Sequence, residues 1–193
     1  MRVTFAAMLS LLALLACNKT ANQSADQAPP AAAAVVATQP LFNGRDLEGW
    51  EHVGPGKFVI EDGVLRSEGG MGLLWYTREK FGNCKIRVVY KTTSAASNSG
   101  VFVRIAARPT DEWFAVHHGY EAQICDSQDE YHRTGAIYSL AKSASLASLP
   151  PGQWNVMEIT LDGPRIRVSV NSVAVTDFDP AQPVPPRTKE FEP

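Results

Sequence analysis

The sequence predicts an all-β fold, an antiparallel jelly-roll sandwich. Three observations carry this expectation. Short runs rich in Val, Ile and Thr alternate with period two, as in Lys85–Lys91 and Arg165–Val170. Turn signals recur between the runs, at Glu61-Asp62-Gly63, Asp162-Gly163-Pro164 and Asn171-Ser172. No strong helical period interrupts them. The chain has 193 residues, enough for one domain of about 150 residues with flanks. Its net charge of -2 leaves no electrostatic footprint for nucleic acid, and no such partner is expected.

Residues 1–17 read as a targeting segment. Arg2 is its positive end, and Phe5 to Ala16 is an apolar run too short to span a bilayer comfortably. Its end, Leu14-Leu15-Ala16-Cys17, resembles a bacterial lipobox. That resemblance implies cleavage before Cys17, a lipid anchor on its thiol and a membrane partner. The alternative is an ordinary secretory leader cut later. Asn18 follows the cysteine, so anchoring in the cell envelope, at the outer membrane or periplasm, is expected. Residues 18–40 are rich in Ala, Pro, Gln and Ser and cannot offset the entropy of ordering, so they read as a tether. In an oxidising compartment Cys84 and Cys125 are open to a disulfide or to two buried free thiols.

The folded domain is expected over residues 41–179. Asn43-Gly44 is a tight turn. Lys57–Ile60 and Val64–Ser67 pair as a hairpin, and Leu73–Thr77 is a further strand. Lys85–Lys91 alternates with Ile86, Val88 and Tyr90 on one side. Asn98-Ser99-Gly100 reads as the turn that sets the register of the strand reaching Arg104. Ala106–Gly119 is a long loop with Trp113, His117 and His118, of a length often functional. Tyr120–Asp126 is a strand, Cys125–Thr134 a polar loop and Gly135–Leu140 a short strand. Trp154–Leu161 and Arg165–Val170 form a hairpin, and Val173–Val175 follows the next turn. Residues 180–193 read as a Pro-rich tail.

Asn98 to Tyr138 carries the candidate chemistry. Val101, Val103, Ala122 and Ile124 alternate toward a core. Arg104, Glu121 and Gln123 are expected on the opposite, open face of one sheet.

Several motifs occur in order: Leu41-Phe42-Asn43-Gly44 with Leu47 and Gly49-Trp50, Glu61-Asp62-Gly63-Val64-Leu65, Asn98-Ser99-Gly100-Val101-Phe102-Val103-Arg104, Tyr120-Glu121-Ala122-Gln123-Ile124-Cys125-Asp126, Thr134-Gly135-Ala136-Ile137-Tyr138 and Gly152-Gln153-Trp154-Asn155. Together they resemble the 3-keto-disaccharide hydrolase domain family, over roughly Leu41 to Asp179. The resemblance implies a laminarin-G or concanavalin-like sandwich. The chain departs from the family at Asn171-Ser172, where Asn-Gly is usual. The family also continues past a tail like Arg187-Thr188-Lys189 into closing strands, which are expected to be missing from a chain ending at Pro193.

The resemblance implies cleavage of a glycosidic bond in a sugar oxidised at C3. The ketone acidifies the C2 hydrogen, so a base can remove it and the C1 substituent leaves by elimination. The reaction needs that base, a stabiliser for the enolate oxygen and an acid for the leaving oxygen. The catalytic candidates are Glu121, as base or sugar ligand, Arg104, as enolate stabiliser, and Asp126, as base, metal ligand or turn cap. Gln123, Tyr138, Trp113 and His132 are the candidate sugar-binding residues. A two-carboxylate glycosidase using Glu121 and Asp126 is a second reading. A non-catalytic carbohydrate-binding module on the same sandwich is a third. A divalent cation suits an enolate, but no fixed ligand spacing requires one.

Overall fold

The computed structural model describes residues 38–186; the expected leader with Cys17, nearly all of the tether and tail residues 187–193 lie outside the described residues. Every element below belongs to the unit from Pro40 onward. The elements are β1 (Trp50–Val53), β2 (Lys57–Glu61), β3 (Val64–Glu68), β4 (Leu73–Tyr76), β5 (Cys84–Tyr90), β6 (Ser99–Val103), α1 (Phe114–His118), β7 (Tyr120–Ile124), β8 (Asn155–Asp162), β9 (Arg165–Val170) and β10 (Val173–Phe178). The pairings between these strands are antiparallel, and the sandwich expected from the sequence is what forms.

One layer is a four-stranded sheet in the order β10-β9-β8-β5. Its inner face follows from alternation: Met157, Ile159 and Leu161 on β8 and Ile166, Val168 and Val170 on β9 are buried. Their neighbours Glu158, Arg165 and Arg167 point outward into ion pairs with Lys85, Asp177 and Asp162. Pairs this exposed contribute little, so the apolar face holds the sheet. Each buried Ile or Val contributes about 1.5–3 kcal/mol. A register shift between Ala174 and Thr176 lets both Val175 and Thr176 turn inward on β10.

The second layer contains the β6/β7 pair. Val103, Ala122, Ile124 and Ile137 pack with the inner residues of the large sheet in one apolar cluster. β1/β4 and β2/β3 are separate two-stranded pairs.

Two local expectations need correction. Gly135–Leu140 is no strand: Ile137 alone bridges to Ala122 and Ala141, because Gly135 and Ser139 take φ of 88° and 60° on either side. The loop Ala106–Gly119 contains helix α1, which buries Ala115 and Val116. Asp111 Oδ1 accepts from the Trp113 and Phe114 amides and starts that turn. Five residues are too few to show a helical period. Cys84 and Cys125 stand as free thiols.

Asn171 and Ser172 join β9 to β10 with φ of 49° and 69°. A two-residue hairpin needs both in the left-handed region. The Asn171 side chain also accepts from the Val156 amide at 2.9 Å and donates to Ala147 O at 2.9 Å and Asn155 Oδ1 at 2.8 Å. Ser172→Gly is therefore expected to stabilise the fold by about 1 kcal/mol, by removing a left-handed Cβ. Asn171→Ala should destabilise it by about 2–3 kcal/mol, because buried partners lose their bonds. Urea unfolding midpoints of the two variants check both signs.

Candidate functional site

The site is built on the outer face of β6 and β7. Register pairs Phe102 with Glu121 and Gly100 with Gln123. Directly opposed residues share a face, so Glu121 rises beside Phe102. On its other side the Tyr138 amide donates to Glu121 O at 3.0 Å, and the Ala122–Ile137 bridge continues the pairing. Glu121 thus lies between two aromatic positions.

Gly100 makes room for it. A Cβ at Gly100 would lie 2.6 Å from Glu121 Cγ and 2.7 Å from its Cδ, so the side chain lies back across the β6 backbone. This is why a glycine stands inside a strand. The reading of Asn98-Ser99-Gly100 as a turn is corrected accordingly: β6 starts at Ser99 and Gly100 is within it. Burial pushes the Glu121 carboxyl up to about 8, and among the described residues no cation acts against it.

Arg104 does not join this face, against expectation. β6 ends at Val103, and Arg104 takes a φ of 63°, which breaks the alternation. Its guanidinium Nη2 donates to Gly163 O in the β8–β9 turn. There it faces the Cys84 thiol, whose pKa burial raises and the Arg104 charge lowers. Gln123 shares the Glu121 face but is only 2 % exposed, so it is closed off from a sugar. Its Oε1 accepts the Ile124 amide at 3.0 Å, and residues Gly135 and Ala136 bond its backbone.

Asp126 belongs elsewhere too. It accepts from Thr134 Oγ1 at 2.5 Å and from Ser148 Oγ at 2.9 Å, and its charge acts on Tyr90. Tyr90 packs against the core cluster. Asp126 therefore ties down the end of β7 on the core side, the turn-cap alternative, and does not oppose Glu121.

His132 lies edge-on to Tyr138, with ring centroids 5.0 Å apart. Its Nδ1 is 2.9 Å from both oxygens of Asp129, and its Nε2 is 3.1 Å from Ser139 Oγ. Trp113 is 41 % exposed and its ring stacks on His117. Among the described residues no group of three or more His, Cys, Asp or Glu is placed to hold a metal ion. Sequence reasoning missed Gly100, Phe102, Asp129 and Ser139. An isolated glycine inside an alternating run was the available signal for the first.

A 3-keto-alpha-glucoside-1,2-lyase-like domain model matches residues 37–191. None of the curated proteins matches the chain. Among solved structures, one candidate glycosyl hydrolase from Parabacteroides distasonis ATCC 8503 is similar with a TM-score of 0.61 and 30 % identity, over 73 % of this chain and 71 % of its own. A second from that organism has a TM-score of 0.62 at 22 % identity, over 74 % and 71 %, and shows the shared fold. The sandwich, the ordered motifs and the model match agree: the chain belongs to the 3-keto-alpha-glucoside-1,2-lyase-like domain family.

Proposed function

We propose that this chain cleaves the glycosidic bond of 3-keto-glycosides by removing the C2 proton and eliminating the C1 substituent. The observation that carries the reading is Glu121: a carboxyl enclosed beside two aromatic positions, on a backbone cleared by Gly100, with no cation among the described residues holding it ionised. A carboxylate raised to about 8 is a far stronger base than an ordinary one, and still titrates near neutral pH. Glu121 takes the C2 proton, the electron pair forms the enolate and then the C1–C2 double bond, and the C1–O bond breaks. The leaving oxygen takes a proton, and water adds to the enone to give the free 3-keto-sugar. Tyr138, across from Glu121, donates to the enolate or the leaving oxygen.

Family membership supports the substrate class. The lipobox-like end of the leader supports a protein held in the cell envelope through lipidated Cys17. The carbohydrate-binding alternative is favoured only by the exposed Trp113 ring, and turnover distinguishes the two.

Incubation with a 3-keto-glucoside should release the 3-keto-sugar, read by chromatography. Glu121→Gln should lower kcat/KM at least about 100-fold. An unchanged rate in that variant would remove Glu121 from the mechanism. For the wild type, kcat/KM should rise about tenfold per pH unit and level off above about 8, where Glu121 is ionised. A profile falling through that pH would make Glu121 the acid. Gly100→Ala should cost activity by displacing the carboxylate while leaving the β6/β7 register intact.

Stability gives a readout free of substrate. Glu121 ionises near its ordinary 4.5 in the unfolded chain and near 8 in the folded one. Between those values unfolding releases a proton, so rising pH favours the unfolded state. The contribution is fully present below about 4.5, is lost on the way up to about 8, and is flat above. Glu121→Gln should remove this slope from urea midpoints measured between those pH values.

A further inference from the structure

The loop beyond β7 holds a second group of side chains with a chemistry of its own. His132 Nδ1 lies 2.9 Å from both oxygens of the Asp129 carboxylate, and Nε2 lies 3.1 Å from Ser139 Oγ. A carboxylate has no proton to give, so Nδ1 carries the N–H. In that tautomer Nε2 presents a lone pair, and Ser139 Oγ is placed to donate to it. The hydroxyl is polarised toward the ring and its remaining lone pairs point away from it. This is the division of roles by which a carboxylate, an imidazole and a serine make a nucleophile, recognised by geometry whatever the chain order.

Two further observations fit. Ser139 sits at φ 60°, in the left-handed region that a serine adopts only at a cost. It is held there by its own amide, which donates to Tyr131 O at 3.1 Å, and by the Leu140 amide, which donates to Ile137 O at 2.8 Å. Such strain at a side chain held against a base is a reason to look for function. The ring is fixed as well: His132 is 18 % exposed, its edge packed on Tyr138, and Asp129 Oδ1 also accepts the Tyr131 amide at 2.9 Å.

We propose that Asp129, His132 and Ser139 form a nucleophilic relay that accepts the acyl group of a carboxylic ester. Ser139 Oγ attacks the ester carbonyl carbon while its proton passes to His132 Nε2. The imidazolium faces Asp129, and the carbonyl oxygen takes up the negative charge. The C–O bond to the alcohol then breaks, the alcohol leaves with the proton from His132, and the acyl group remains on Ser139. Water, deprotonated by His132, hydrolyses that ester, releases the carboxylic acid and restores the serine. The Ser139 and Leu140 amides already have acceptors, so they give the oxyanion little help and turnover is slow. Covalent capture is therefore the decisive readout.

The full chain is incubated with a fluorophosphonate probe and followed by intact mass and peptide mapping. One adduct, on Ser139, is expected. Ser139→Gly suits the left-handed backbone, keeps the fold by circular dichroism and should take none. Asp129→Asn, which frees the ring tautomer, should label at least tenfold more slowly, and p-nitrophenyl acetate cleavage should fall in parallel. Arg165→Ala, a change on the exposed face of the other layer, should label at the wild-type rate. A folded wild type that takes no adduct, an adduct mapped to another residue, or Asp129→Asn labelling at the wild-type rate overturns the proposal.

Discussion

β7 is paired on both sides, and that double pairing is the constraint from which the rest follows. β6 bonds one edge from Ser99 to Val103, and Ile137 bridges to the other at Ala122. Once the register is fixed, alternation assigns every side chain. Ala122 and Ile124 must go inward, where they close the apolar cluster. Glu121 must go outward, between Phe102 and the Tyr138 position. A slip of one residue would bury the carboxylate in the core and expose an isoleucine. Core and site are thus two faces of one decision.

The site's electrostatics follow from what is missing around Glu121. Structural ion pairs elsewhere in the molecule are exposed and solvated, as between Arg165 and Asp177, where the cation holds the Asp177 carboxyl below its ordinary value. Glu121 is the opposite case. Enclosure acts on it without an opposing charge, so the proton is held. Such an arrangement costs stability as pH rises toward 8, and a carboxyl so perturbed is a candidate for proton transfer.

Much of this was legible in the residues. The β8–β9 hairpin, its inward set and the outward face of Glu121 follow from period two alone. Arg104 did not, because one left-handed φ after Val103 redirects the side chain and alternation carries no information past such a residue. Gln123 has the right parity but is buried, and burial is a tertiary fact. Asp126 has hydroxyl partners from Thr134 and Ser148, far apart in sequence. The family resemblance implied the sandwich that forms and the substrate class that is proposed. It did not supply Gly100's reason, which is a distance between a strand backbone and one side chain.

The Asn171 turn reaches further than its hairpin. Its amide group holds Ala147 O, and Ser148 next to it holds Asp126. Asp126 in turn holds Thr134, whose hydroxyl and amide close onto Cys125. A run of hydrogen bonds therefore leads from the β9–β10 turn to the loop that carries His132. The loop is thus tied by hydrogen bonds to a hairpin on the other layer of the sandwich, and opening it breaks bonds anchored at the core sheet's turn.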